Sequence, residues 1–254
     1  QGGVARVTLD RPELRNAFDD VLIGRLTAAF EEVQADESVR VVVLAGNGPA
    51  FCAGADLNWM KRMAGYGYEQ NLADAQALAE MLAALDRMPK PTIARVHGPA
   101  FAGGTGLVAA CDIAVGSHNA QFCFSEAKLG LSPATISPYV IRAIGERAAN
   151  RYFLTAEVFD AAEALRIGLL SMLVPVSDLD SSIDGLLVHL LAGGPQAHAS
   201  IKDLIRAVAP RPIEDALIGD TARRIAEIRV SAEGKEGIAS FLEKRKPAWC
   251  SPKS

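Results

Sequence analysis

Two short loops rich in glycine and alanine are where residue type and spacing in this 254-residue chain could do chemistry. One is Phe51-Cys52-Ala53-Gly54-Ala55-Asp56-Leu57; the other is Ala102-Gly103-Gly104-Thr105-Gly106. Each follows a β-branched run and opens toward a helical stretch. Backbone N–H groups at such a turn have no intrahelical partner, and the helix dipole adds to their pull on an anion. Small residues let a ligand approach the backbone closely. Two such N–H groups converging on one oxygen would form an oxyanion hole, in which one donor is worth about 2.7–4 kcal/mol in acyl chemistry. Each loop taken alone also reads as an ordinary strand-to-helix turn. Neither carries the Gly-Lys-Ser/Thr of a P-loop, and G-x-G-x-x-G is absent, so nucleotide-phosphate binding by those routes is not expected.

The elements that must hold these loops alternate. Val4–Leu9 reads as a strand ending at Asp10-Arg11-Pro12, and Asp19 or Asp20 can cap a helix running to Gln34. Val39–Leu44 reads as a buried strand before the first loop, and Thr92–Val96 as another before the second. A helix is predicted over Glu69–Asp86, and a helix of small residues follows the second loop through Ala110. Ile113–Val115, Gln121–Phe124 and Ser171–Val174 read as further strands. This alternation predicts an α/β core over residues 1–175. From residue 176 to 254 the chain reads as helical, broken at Gly193-Gly194-Pro195 and Pro210-Arg211-Pro212. The stretch Asn58–Tyr68, with Trp59, Met60, Met63, Tyr66 and Tyr68, reads either as a mobile wall hinged at Gly65 and Gly67 or as a packed aromatic loop.

Bulk properties narrow the function classes. The net charge of −4 offers no general attraction to nucleic acid or anionic membrane. No apolar stretch is long enough to span a bilayer. Four cysteines without C-x-x-C spacing point to reduced thiols in a cytoplasmic setting. Four histidines without H-E-x-x-H leave no expected metal site. The chain opens at Gln1, not Met, so a preceding strand and any targeting segment are expected to have been trimmed.

In register, the two loops resemble the crotonase (enoyl-CoA hydratase/isomerase) superfamily signature, F-[CS]-A-G-A-D-L followed by H/N-G-x-A-x-G-G-G. The second motif stands here as His97-Gly98-Pro99-Ala100-Phe101-Ala102-Gly103-Gly104. Cys111-Asp112-Ile113-Ala114-Val115 and Ala120-Gln121-Phe122-Cys123-Phe124-Ser125-Glu126 match its next elements. So do Asp10-Arg11-Pro12, Arg15-Asn16-Ala17, Ile144-Gly145, Leu154-Thr155, Ala161-Ala162-Glu163-Ala164, Gly168-Leu169 and Phe241-Leu242-Glu243-Lys244-Arg245. The resemblance spans essentially the whole chain. It implies a spiral of repeated β-β-α units with a C-terminal helical region that builds a homotrimer or a dimer of trimers. The implied substrate is an acyl-CoA thioester, with coenzyme A entering as part of the substrate and no separate cofactor. It assigns the oxyanion donors to the N–H groups of Ala55 and Gly103. Contacts to adenine and pantetheine fall at Arg15, Ala17, Ala53, Asp56 and Leu57, with Gly104 beside them. Lys244, with Phe241, matches a basic residue that reaches a neighbouring subunit's coenzyme A phosphate. Lys244 and Arg15 read equally well as solvated surface charges, and Asp56 as a turn residue whose side chain bonds nearby N–H groups.

One departure is informative. Hydratases of this family carry two glutamates across the double bond; the first position is Gly106 here, and only the second remains, as Glu126. Outside the family pattern Glu126 reads as a strand-end glutamate or a salt-bridge partner of Lys128. Within it, one carboxylate can take a proton from water and return it to the α-carbon, or move a proton between two carbons. The segment Gly130-Leu131-Ser132-Pro133-Ala134-Thr135-Ile136-Ser137-Pro138-Tyr139-Val140 resembles the methylglutaconyl-CoA and carboxygeranoyl-CoA hydratases of leucine and acyclic-terpene breakdown. Ser132, Thr135, Ser137 and Tyr139 would then offer hydroxyls to a distal carboxylate or to the reactive water, with Lys61, Arg62 and Arg142 as candidate cations. Ser132 and Thr135 read equally as helix caps. The expected activity is hydration of a branched 2-enoyl-CoA. The alternatives are 3-enoyl to 2-enoyl isomerisation and a non-catalytic RNA-binding role. The last is disfavoured because the first long helix carries only Arg25 against Asp19, Asp20, Glu31 and Glu32.

Overall fold

The computed structural model describes residues 2–250. Eight strands follow in chain order: β1 (Val4–Leu9), β2 (Val41–Gly46), β3 (Thr92–Val96), β4 (Ala100–Phe101), β5 (Ile113–Ser117), β6 (Gln121–Cys123), β7 (Phe159–Asp160) and β8 (Met172–Val174). The main sheet runs β1-β2-β3-β5-β8, and all four pairings are parallel. Every residue of β2 is buried, which requires cover on both faces and explains its unbroken apolar sequence. Side chains alternate between the two layers, as the strand period dictates. Val42, Leu44, Ala94 and Val96 join the core with Ile23, Leu26 and Phe30 of α1 (Asp20–Ala35) and with Met81, Leu82 and Leu85. Val41, Val43, Ile93 and Val115 pack instead with Leu179, Ile183 and Leu187.

The remaining helices are α2 (Leu57–Met63), α3 (Tyr68–Arg87), α4 (Gly103–Ala110), α5 (Ser137–Thr155), α6 (Ala161–Arg166), α7 (Leu179–Ala192), α8 (Pro195–Val208), α9 (Asp215–Val230) and α10 (Ala232–Leu242). Met81, Leu82 and Leu85 belong to α3, and the second cover is α7. A smaller sheet, β4-β6-β7, runs beside the first. Isolated parallel bridges at Cys52–Ala100 and Phe18–Ala55 extend it. The chain therefore repeats one unit: a long strand, a short strand piece, then a helix. It does so through β2, Cys52 and α3, through β3, β4 and α4, and through β5, β6 and α5. This is the expected spiral of β-β-α units.

Some boundaries differ from those read in the sequence. The strand expected at Val39–Leu44 is Val41–Gly46, because the Val39 N–H closes a turn on Asp36 after α1. The aromatic stretch after the first loop is mainly helix α2, capped by Asp56 and anchored by buried Trp59, whose indole donates to Asp74 at 3.1 Å. The two-residue strands β4 and β7 went unread because periodicity needs more residues than they have. Among the described residues no helix is long and apolar enough to cross a membrane.

The C-terminal helices are tied to the core beneath the second loop. Lys202 of α8 is buried, with Nζ 2.6 Å from Asp112 and 3.1 Å from the Lys90 carbonyl. The same Asp112 oxygen accepts the N–H and hydroxyl of Thr92 at the start of β3. Lys202→Met should lower unfolding stability by about 1–3 kcal/mol, since the charge-assisted bonds that a buried ammonium makes to a partly exposed carboxylate and to a backbone carbonyl are lost. A denaturation midpoint unchanged from wild type would refute that anchoring role.

Candidate active site

The first loop reaches its position through Phe18. The Phe18 N–H donates to the Gly54 carbonyl at 2.7 Å, and the Asp56 N–H donates to the Phe18 carbonyl at 2.6 Å. Ala55 is thus bridged to a residue that is itself 2% exposed. The Phe18 ring lies against the second loop: a Cβ built on Gly103 would come 2.7 Å from its Cε2. One buried aromatic residue therefore sets both loops. They also touch directly, since a Cβ on Gly54 would lie 3.2 Å from the Phe101 carbonyl and 3.3 Å from the Ala102 Cβ. Gly54 has φ +92°, so the position rewards glycine on two counts. At Gly104 a Cβ would meet the Cys52 carbonyl at 2.5 Å.

Among the described residues, neither the Ala55 N–H nor the Gly103 N–H has a hydrogen-bond partner. Gly103 is the first residue of α4, where the backbone leaves donors open. Ala102 before it holds φ 48° and ψ −118°, a conformation costing an L-residue about 1–3 kcal/mol. Its N–H donates to the Cys123 carbonyl at 2.8 Å, and its carbonyl accepts from Gly106 at 3.1 Å. The strained residue is held from both sides.

Glu126 follows β6, the strand paired with β4, and opens a 3-10 turn to Leu129. Its Oε2 is buried without a hydrogen-bond partner, and burial raises its carboxyl above the ordinary glutamate range. It makes no ion pair with Lys128, so that reading of the sequence falls. The position one α4 turn past Gly103 is occupied differently. A Cβ on Gly106 would come 2.9 Å from Ile136 Cβ and closer still to its Cγ2. Ile136 is 1% exposed and β-branched, so it cannot move aside easily. The volume a second carboxylate would need is filled by hydrocarbon.

The other expected positions divide. Ala17 is buried, and the Ala53 N–H donates to the Arg15 carbonyl at 2.9 Å, so both shape the first loop. Arg15 itself is exposed at φ 50°. Asp56 caps α2 by accepting from Asn58 and Trp59, which places it as the turn residue. Leu57 is exposed beside it. Neither Ser132 nor Thr135 caps α5, and the Ser137 hydroxyl donates to the Ala134 carbonyl at 2.8 Å. Arg62 is paired with Asp20, and Arg142 is paired with Asp86 and stacked on Tyr139. Those two cations are therefore already engaged. Phe241 lies at the exposed end of α10, which packs on α8 and α9, and Lys244 is exposed just past it.

Known proteins share this fold. The family model for enoyl-CoA hydratase/isomerase matches residues 1–252. The chain belongs to the enoyl-CoA hydratase/isomerase family. Enoyl-CoA hydratase AKT6-1 of Alternaria alternata is 36% identical over 249 residues, covering 97% of this chain and 80% of that protein. A crystal structure of an enoyl-CoA hydratase from Shewanella pealeana superposes with a TM-score of 0.96 at 46% identity, covering 98% of this chain and 93% of that one. AtuE of Pseudomonas aeruginosa superposes with a TM-score of 0.93 at 38% identity, covering 99% and 97%.

Within this enoyl-CoA hydratase/isomerase enzyme, sequence reasoning missed Phe18 and Ile136. Neither carries a chemical group that marks it; only the close approach to Gly103 and Gly106 reveals them. Gly106→Glu should therefore destabilise the protein by about 1–3 kcal/mol or more through overpacking. Adding Ile136→Ala should recover much of the loss. Independent, additive effects in a double-mutant cycle would refute the interlock. Glu126 supplies a second expectation. A carboxyl with a raised folded-state pKa is stabilising while protonated, and that contribution is lost as pH rises through the folded value. Glu126→Gln should hence raise the melting temperature at pH 8, with the gain shrinking toward pH 4. A gain that is independent of pH would contradict the desolvation.

Proposed function

We propose that this enzyme adds water to a branched 2-enoyl-CoA carrying a distal carboxylate, of the methylglutaconyl or carboxygeranoyl type. The observation that carries the reading is Glu126, a desolvated carboxylate with an unpartnered oxygen, in a fold where a second acid is displaced by Ile136. The thioester oxygen would sit between the free N–H groups of Ala55 and Gly103. These donors act most strongly as the oxygen gains charge, which lowers the barrier to the enolate. Glu126 takes a proton from water as its oxygen bonds to the β-carbon. It then delivers that proton to the α-carbon, and the enolate collapses to the saturated 3-hydroxyacyl thioester. Coenzyme A enters and leaves as part of the thioester.

The distal carboxylate is assigned to hydroxyls, Thr135 and Ser132 foremost, with Lys61 as the remaining candidate cation, because Arg62 and Arg142 already have acidic partners. We also place the enzyme as a homotrimer or a dimer of trimers. Val188, Ile205, Val230 and Phe241 leave apolar surface on the C-terminal helices and Ile213 on the connection before α9, which supports burial against other copies. Lys244 would then meet a neighbouring subunit's coenzyme A phosphate.

The single carboxylate favours one rival, proton transfer from the α- to the γ-side of a 3-enoyl-CoA. Turnover in water labelled with heavy oxygen separates them, since only hydration places solvent oxygen in the product. Wild type should hydrate methylglutaconyl-CoA, and Glu126→Gln should lose about 10²–10⁴-fold in kcat. As a base, Glu126 must be ionised, so kcat/KM should rise with pH along an acid limb set above the ordinary glutamate range. Full activity surviving in Glu126→Gln would remove Glu126 from the chemistry. Label-free product would establish isomerisation.

A further inference from the structure

Arg11 lies behind the first loop, and its guanidinium reaches three groups on two chain segments at once. Its Nη1 donates to the Ala17 carbonyl at 3.2 Å and lies 2.8 Å from the Asp19 carboxylate. Its Nη2 is 3.8 Å from Asp56. Each carboxylate faces two ways. Asp19 caps α1 by accepting from Leu22 through Oδ1 and turns Oδ2 to Arg11. Asp56 caps α2 through Oδ1 and likewise turns Oδ2 to Arg11. Two helix-capping carboxylates thus share one cation. Between Ala17 and Asp19 stands Phe18, and between Phe18 and Asp56 runs the bridge that fixes Ala55.

The base of this fork is fixed as well. The Arg11 N–H donates to Asn16 Oδ1 at 2.8 Å. Asn16 is fully buried, and its amide donates to the carbonyls of Asn47, Ala50 and Phe51. The segment carrying Arg11 is thereby bolted to the chain entering the first loop. The Arg11 side chain is 27% exposed and that of Asp56 only 7%, so the pairing is shielded on one side. A planar guanidinium can serve a carbonyl and two carboxylates together, which a lysine ammonium cannot match.

We propose that Arg11 is a positioning residue for the oxyanion donor at Ala55, a role that rests on the reading of Ala55 as that donor. Without the guanidinium, the Ala17 carbonyl loses its donor, and Asp19 and Asp56 lose their shared counter-charge. The Phe18–Ala55 bridge loosens, and the Ala55 N–H no longer points where the enolate oxygen forms. The effect falls on the charged transition state more than on the bound thioester, so kcat suffers and KM does not.

The test compares wild type, Arg11→Gln and Arg11→Lys by steady-state kinetics on a 2-enoyl-CoA that wild type hydrates. Difference infrared spectroscopy on a bound, unreactive saturated acyl-CoA labelled at the carbonyl then reads the polarisation of that oxygen. In Arg11→Gln, kcat should fall about tenfold to a hundredfold with KM close to wild type, and the carbonyl band should move to higher wavenumber. Arg11→Lys should fall between, because it restores charge without the fork. A wild-type kcat in Arg11→Gln overturns the proposal. So does a reduced kcat with the carbonyl band at its wild-type position, which would mean general loosening. If Arg11→Gln does not fold, Arg11→Lys decides, and wild-type kcat and band position there overturn the proposal. A wild-type enzyme whose bound carbonyl band matches that of free thioester removes the donor reading itself, and this role with it.

Discussion

The structure turns on two backbone N–H groups that stand on touching loops and are left without partners among the described residues. A folded chain normally pairs such groups, because an unsatisfied donor is costly once water is removed. Here Ala55 escapes pairing at a single-residue bridge, and Gly103 escapes it as the first residue of α4. The parallel sheet makes both possible. Each long strand ends on the same side, each then contributes a short piece to the second sheet, and successive loops stack as neighbours. Phe18 is the part that couples them, with its backbone on one loop and its ring on the other. A change that moves Phe18 moves both donors.

The same packing logic explains the single acid. Gly106 and Ile136 form an apolar contact at a place where charge would otherwise point inward. Burying a second carboxylate near Glu126 would raise the pKa of one of them further by like-charge repulsion. Replacing it with hydrocarbon leaves burial as the main influence on Glu126. That suits a group asked both to accept a proton and to return it, since a shuttle works best when neither state is strongly preferred. The aromatic cluster of Phe122, Phe124, Tyr152, Phe153 and Phe159 backs the strand that leads to Glu126, and it gives that turn a stiff support.

Much of this was legible in the sequence because it is periodic or glycine-marked. The unbroken run in β2, the capping aspartates and the glycines of the two loops are local signals, and they carried the fold class and the two loops, while the resemblance to the family singled out Ala55 and Gly103 within them. What stayed hidden was pairwise and distant. Phe18 reads as one more apolar residue after Asn16-Ala17, and between it and Gly103 lies more than one full β-β-α unit. Ile136 sits in a motif whose hydroxyls draw the eye, while its own effect is steric. Arg62 and Arg142 looked available as substrate cations because their partners, Asp20 and Asp86, lie far off in sequence. Charges are easy to see in a sequence; whether they are already paired is a property of the fold.

The site also concentrates what the rest of the molecule avoids. Ala102 is strained, Glu126 holds a buried oxygen without a partner, and two N–H donors are open. Each departure costs stability, and each is surrounded by over-determined structure. Ala102 is bonded on both sides, α4 is buried from Gly104 through Ala110, and Asn16 satisfies three carbonyls beside the first loop. Rigid, fully paired surroundings let a few groups remain unsatisfied without local collapse. Such groups answer a developing charge with little rearrangement, because the cost of orienting them was met when the chain folded. On this view the tightly packed parallel core and the reactive loops are one device, since a looser core would let the donors turn toward water or toward each other's carbonyls.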